Sequence, residues 1–436
     1  MASQNQQPEE REARLQRILR QMEQKLREQL PDPDQTLEQI EQEVVEIGRE
    51  LREIIERETL AAAGHGYVGS QAPCACGQPA RFVRLNPREV VTLNGERTLP
   101  RAYYYCKACQ KGFCPLDQRL QLGPGANSVG VRALAARFVA YVSERKAAAE
   151  LAFVTGIRLS PRTLQREGLA VGGALSAAWA EREQRLFSHQ APPPASRPWQ
   201  LHTAMDGVFV QIGREWKEAK VGEVYRRGKS GGVERITYYA TLSDSKAFGR
   251  RLRTVAQAEG FDYSRSRALL GDGAEWIWQE GAKHFPQTTE IVDLFHVLEY
   301  LWGVARVRFP EAGAAKAWVD EQKKRLLENE VDQVIAAVAA WEPADGEAAE
   351  LKRTTENYLR GQAHRMQYQS YLEQGFHLGS GVAEAGCKQV VQARLKGAGM
   401  RWSAAGAEAM LHLRSAVCSS DCIDFRDAAR RAIFAS

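Results

Sequence analysis

The stretch Leu269–Trp278, "LLGDGAEWIW", decides how this chain is read. Two leucines run into Asp272, which sits between Gly271 and Gly273, and two tryptophans follow two positions apart. An aspartate at the end of an apolar strand is either a turn residue or one member of a catalytic set. The neighbouring text supplies more strands. "LHTAMDGVFVQI" (201–212) alternates and is interrupted by Asp206-Gly207. "WKEAKVGEVYRR" (216–227) and "ERITYYATLSD" (234–244) follow, with Gly228, Gly231 and Gly232 as turn residues between them. A helix is expected over roughly 245–259, then the strand that ends at Asp272. "TEIVDLFHVLEYLW" (289–302) reads as a fifth strand ending at Asp293 and His296. Three hairpin-linked strands followed by alternation with helices imply a mixed sheet.

If the strands bearing Asp206 and Asp272 are neighbours, the two carboxylates point into one cleft. Such a pair suits Mg²⁺, a hard cation that takes oxygen ligands and keeps several waters. A third carboxylate is normally needed, and Glu384 is the candidate, in "HLGSGVAEAGCKQVVQARLKGAGMRW" (377–402). Gly379-Ser380-Gly381 starts a helix there, with Val390, Val391 and Leu395 on its buried side. Glu384 at a helix start also favours the macrodipole and could pair with Lys388. Between Asp293 and Gly379 the text is helical throughout, as in "AAKAWVDEQKKRLLENEVDQVIAAVAAW" (314–341).

Upstream, residues 8–63 are dense in Glu, Arg, Gln and Leu, and "PDPD" (31–34) should divide them into two helices. Leu37, Ile40, Val44, Ile47, Leu51 and Ile54 fall at steps of three and four, a stripe suited to docking or dimerisation. Next, Cys74-x-Cys76 and Cys106-x-x-Cys109 flank two strand-like runs joined at Asn94-Gly95, a strong hairpin signal. The hairpin brings both pairs to one end, where four thiolates suit structural Zn²⁺. Cys114 is left outside the set. From 128 to 187 two helices and a third beginning at Ser160-Pro161 resemble a helix-turn-helix, exposing Arg162, Thr163, Gln165 and Arg166.

The 436 residues exceed one ordinary core, so several domains are expected. They are an N-terminal helical arm (1–66), a zinc-ribbon-like module (67–120), a helix-turn-helix region (128–187) and a proline-rich linker (188–200). The catalytic core follows in two parts (201–300 and 377–436), separated by a helical insertion (301–376). The fold class is thus multidomain α+β. With 44% apolar and 26% charged residues, and no apolar run approaching eighteen, no membrane span is expected. "MASQNQQPEE" lacks the marks of a secretion signal, so a cytoplasmic location is expected. A net charge of +5 permits nucleic-acid binding without demanding it. Clustered cysteines in a cytosolic chain favour metal over disulfides.

Taken in order, the C-x-C pair, "YYYCKAC…PLD", "AMDG", "GDGAEWIW", "IVDLFHVLEYLW" and "GSGVAEAGCKQVVQARLKGAGMRW" are recognisable. Over roughly residues 70–415 the chain closely resembles bacterial insertion-sequence transposases of the DDE class, of the Kra-type family akin to mutator-like elements. The resemblance implies an RNase H-like catalytic domain with an all-helical insertion before the final glutamate. It implies that Asp206, Asp272 and Glu384 hold two Mg²⁺, with Mn²⁺ an expected substitute, for cleavage and strand transfer of double-stranded DNA. Asp293 and His296 match a family motif for which a DNA contact and a structural hydrogen bond both remain open. Lys388, Arg394, Lys396 and Arg401 suit a phosphate backbone, and Arg162, Gln165 and Arg166 suit the element ends. A homodimer on paired DNA ends fits that task. A DNA-binding protein that has lost cleavage, and a metal-dependent nuclease without strand transfer, are the alternatives.

Overall fold

The computed structural model describes residues 6–188, 197–228, 232–379, 381–420 and 425–434. The first turn of organisation follows from Pro31 and Pro33, which end helix α1 (Gln6–Gln29) before α2 (Leu37–Ala62). Thr36 caps α2 in a reciprocal box: its Oγ1 accepts from the Gln39 N–H, and the Gln39 side chain accepts from the Thr36 N–H. The two helices pair antiparallel, zipped by Arg17–Glu58 and Lys25–Glu50 (2.6 Å). Of the expected stripe only Ile47 is fully buried; Leu37 and Val44 remain more than half exposed.

A four-stranded antiparallel sheet follows: β1 (Gln71–Pro73), β2 (Pro79–Thr92), β3 (Gly95–Cys106) and β4 (Lys111–Phe113), in sequential order. The β2–β3 turn is Leu93-Asn94, one residue ahead of the expected Asn94-Gly95, and Gly95 opens β3 at φ +110°. Ala72, Ala80, Ala102 and Tyr104 form its small core, and the Tyr104 hydroxyl donates to the Gly69 carbonyl at 2.9 Å. Helices α3 (Pro115–Arg119), α4 (Val129–Tyr141), α5 (Glu144–Thr155) and α6 (Pro161–Phe187) come next. Gly156, at φ +74°, makes the turn before α6, and the Ser160 hydroxyl caps α6 by accepting from the Thr163 N–H.

The second sheet has the order β7-β6-β5-β8-β9. Its strands are β5 (Arg197–Ile212), β6 (Glu215–Arg227), β7 (Val233–Thr241), β8 (Ser264–Gly271) and β9 (Thr289–Val292). The first three are antiparallel, and β8 and β9 run parallel to β5. Helices α7 (Ser245–Ala258) and α8 (Glu275–His284) are the crossovers that parallel pairing requires. Most of the expected proline linker lies outside the described residues, and its last four residues already belong to β5.

One expected strand is corrected. The run "TEIVDLFHVLEYLW" is extended only to Val292, after which Asp293 turns it into helix α9 (Leu294–Arg308). The Asp293 carboxylate accepts from the Phe295 N–H (2.6 Å) and the His296 N–H (3.3 Å), which fixes the helix start. His296 therefore lies in a first helical turn, not in a strand. Helices α10 (Ala312–Leu327), α11 (Val331–Ala339), α12 (Gly346–Gln362) and α13 (Tyr368–Glu373) follow, so the helical stretch begins at Leu294, ahead of the expected insertion bound at 301. The chain closes with α14 (Gly381–Gly386), a π-helical turn (Cys387–Gln392), α15 (Ala393–Leu395), α16 (Ala404–Cys418) and α17 (Phe425–Phe434).

The molecule is a mixed α+β protein whose chain divides into two compact units. One comprises Met1–Ala135, Ala148–Thr163 and Ala429–Ser436, and holds the antiparallel sheet. The other comprises Ala136–Ala147 and Leu164–Ala428, and holds the mixed sheet and its large core. The stretch 128–187 is divided between them. No helix among the described residues is long and apolar enough to cross a membrane.

Candidate functional site

Two groups of chemistry-bearing residues stand out, one in each unit. In the first, the β1–β2 turn carries Cys74 and Cys76, and the β3–β4 turn carries Cys106 and Cys109. Because Arg81 pairs with Tyr105, the two turns lie side by side at the same end of the long hairpin. The four sulfurs all lie within 4.8 Å of one another, with Cys74–Cys109 and Cys76–Cys106 at 3.6 Å. A tetrahedron with metal–sulfur bonds of about 2.3 Å has edges of about 3.8 Å, so these thiols are spaced to hold one metal ion. The Cys109 backbone N–H holds the Cys106 thiol down to about 7, while burial pushes Cys109 up to about 12. Cys114 stands apart at the start of α3, buried, and burial raises its thiol.

The second group lies midway along β5, which runs unbroken through Asp206-Gly207, and just past the end of β8. The β5–β8 ladder pairs Ala204 with Leu270, and Asp206 and Asp272 each lie two residues further along these parallel neighbours. The two acids are thus brought to the same edge, and the Asp272 charge acts on Asp206. Asp206 is held by the Gly207 N–H (2.6 Å) and by the Cys387 thiol, which donates to its other oxygen at 3.1 Å. Burial raises the Asp206 carboxyl, and those two hydrogen bonds and His296 oppose the rise. Asp272 accepts from the Ala274 N–H at 2.8 Å. Its own carbonyl takes the Tyr358 hydroxyl at 2.7 Å, from α12. Gly273 sits at φ +107°, and a Cβ there would stand 2.6 Å from the Tyr358 ring. Both the backbone conformation and the close ring demand glycine, which explains why the acid is followed by one.

Glu384 lies on α14, which packs over β5 and β6; its side chain lies outside the described residues, as does Ser380. The π-helical turn that follows brings Cys387 onto Asp206; such turns recur at functional sites. Asp293 is buried and serves as the α9 cap. The His296 ring packs edge-on against Tyr300 and Tyr358, its Nδ1 3.3 Å from Glu299.

Of the residues expected to face DNA, Arg162, Gln165, Arg166, Lys388, Lys396 and Arg401 are exposed, Arg166 pairing with buried Glu167. Arg394 is not a surface group. Only 2% exposed, it donates to the Val139 carbonyl (3.0 Å), pairs with Glu144 (3.4 Å) and lies over the Trp402 ring. It holds α15 to the rest of its unit and is withdrawn from any backbone phosphate.

Sequence reading missed Glu223 and Cys387. Glu223 on β6 is wholly buried, yet neither carboxylate oxygen has a hydrogen-bond partner beyond its own backbone N–H. The signal was present: Glu223 shares its strand parity with Ala219, Val221 and Tyr225, all buried. An acid in phase with the apolar residues of an interior strand calls for an explanation.

The chain belongs to the Uncharacterised protein family (UPF0236), whose family model matches residues 78–430. No curated protein matches it.

Proposed function

We propose that this protein is a DDE-type DNA transposase that cuts the ends of an insertion sequence and joins them to target DNA. The observation that carries the reading is the placement of Asp206, within β5 just past its pairing with β8, beside Asp272, just past the end of β8, with α14, which bears Glu384, packed on β5 and β6. The sheet order, three antiparallel strands and then two parallel ones, supports an RNase H-like core, and α9–α13 stand as the helical insertion before the third acid. Hard oxygen donors with a thiol capping one of them fit a divalent cation better than they fit a turn.

In this reading Asp206, Asp272 and Glu384 would together hold Mg²⁺. When bound, the ions activate a water or a DNA 3′-OH and stabilise the leaving oxygen of an in-line displacement. Tyr358 and Gly273 fix the backbone on which Asp272 stands, so its carboxylate is aimed before substrate arrives. Lys388, Lys396 and Arg401, exposed and C-terminal to the third acid in sequence, suit phosphate contacts. Arg162, Gln165 and Arg166, at the start of α6, suit base or backbone contacts at the element ends. Cys74, Cys76, Cys106 and Cys109 hold Zn²⁺ in a structural role.

A strand-transfer assay tests the proposal. Pre-cut element ends bearing 3′-OH groups are incubated with a supercoiled plasmid and Mg²⁺. Joined products are expected; binding of the ends without joining or cutting would favour a DNA-binding protein that has lost its chemistry, and cutting without end preference would favour a nuclease.

A further inference from the structure

We propose that Glu223 is a further cation-binding carboxylate of the acidic centre, reaching it from β6 beneath the Gly386–Cys387 turn. The inference rests on the metal-dependent reading of Asp206 and adds to it a residue outside the three acids.

The register sets the placement. Glu223 pairs with Ala204, and Asp206 pairs with Val221, so the two acids are diagonal neighbours on one face of the β5–β6 pair. Such diagonal positions are about 7–8 Å apart, within the reach of a long side chain. Glu223 is completely buried, and neither of its oxygens has a partner beyond its own backbone N–H. Among the described residues, no positive charge acts on it. The charge that acts on it is that of Asp206, and it in turn bears on Cys387, Tyr225 and Tyr238, all acidic groups. Lys220, on the same strand, pairs instead with Glu218 at 2.7 Å.

The covering turn is shaped around this carboxyl. A Cβ on Gly386 would stand 2.0 Å from Glu223 Oε1 and 3.0 Å from the Tyr238 ring, so only glycine allows the turn to close here. The next residue, Cys387, donates to Asp206. A single turn therefore touches both acids. Burying a carboxyl without a hydrogen bond is costly, and glutamine or an apolar residue would fill the same space at lower cost. A hard divalent cation, Mg²⁺ or Mn²⁺, supplies the missing positive charge and accepts the unused oxygens.

The test is Mn²⁺ titration calorimetry on the full-length chain with its thiol site filled with zinc, comparing wild type, Glu223→Gln, Asp206→Asn and Glu218→Gln. Glu223→Gln is expected to fold with a Tm at or above wild type and to weaken Mn²⁺ binding by about ten- to a hundredfold, the range seen when a metal site loses a supporting group. Glu218→Gln is expected to bind as wild type. If Asp206→Asn abolishes binding while Glu223→Gln leaves it intact, Glu223 is a buried acid only and this inference fails alone. If wild type binds no Mn²⁺, the inference and the metal-dependent reading fail together. Should Glu223→Gln unfold, Glu223→Asp keeps the acid with a shorter reach; wild-type affinity in that variant would also overturn the proposal.

Discussion

The thiol cluster and the acidic centre are built in opposite ways. The four sulfurs are gathered within 4.8 Å by two turns of one hairpin, and among the described residues they form the only tight group of three or more metal-ligand side chains. Asp206, Asp272 and Glu223 come from three strands and remain further apart. The difference is electrostatic as well as topological. Thiols can sit neutral and share protons, whereas carboxylates in low dielectric repel one another until a cation arrives. The first site is held by local backbone, and the second by the packing of a whole unit. Under the proposed function, a metal would complete the fold at the thiols and equip a finished fold at the acids.

Chelation should break the comparison most visibly. Small zinc modules draw on the order of 10 kcal/mol from their metal. Removal of zinc, or Cys106→Ser, should unfold the antiparallel sheet while the mixed sheet keeps its cooperative transition; a single unchanged melt with unchanged zinc content would contradict this. The next effect is expected at Arg394. Arg394→Ala removes a buried side chain that bonds the Val139 carbonyl, pairs with the part-exposed Glu144 and packs on Trp402, so it should lower Tm clearly. An undiminished Tm with weakened DNA binding would instead return Arg394 to the surface role that its sequence suggested.

A smaller effect is expected from pH. Burial, and then the Asp206 charge, raise the Glu223 carboxyl well above its ordinary range. The folded state then holds that proton more tightly than the unfolded chain does. Stability is greatest at and below the ordinary glutamate range and falls as pH rises through it toward the raised value. Denaturant titrations of the cation-free protein should show that decline, and Glu223→Gln should flatten it. An identical slope in the variant would mean that another group is responsible. The smallest effect belongs to Lys396→Ala, which should reduce the salt dependence of DNA binding by about one unit of slope and leave stability unchanged.

Much of this architecture is legible in local sequence. Pro31 and Pro33, Ser160-Pro161 and Asn94-Gly95 are breaks and turns whose chemistry acts over two to four residues, and the structure has each of them, the last one residue earlier, at Leu93-Asn94. The strand bearing Asp206 and the strand bearing Asp272 read correctly because apolar alternation and flanking glycines are local as well. Asp293 misled because an apolar run suits a buried strand and a buried helix equally, and only the cap's hydrogen bonds decide between them. Arg394 misled because its partners, Val139 and Glu144, lie far away in sequence. Glu223 was overlooked for a related reason: its meaning comes from Gly386 and Asp206, which only the folded sheet brings to it.

The central claim is tested most directly by Mg²⁺-dependent cleavage of labelled DNA carrying the element's own ends, with wild type beside Asp272→Ala and Glu384→Ala. Specific nicking at the ends by wild type, lost by at least about a hundredfold in both variants, is the predicted result. Wild-type protein that binds the ends but never cuts them with Mg²⁺ or Mn²⁺ would contradict it, and cutting that survives Glu384→Ala would show that another residue is the third acid.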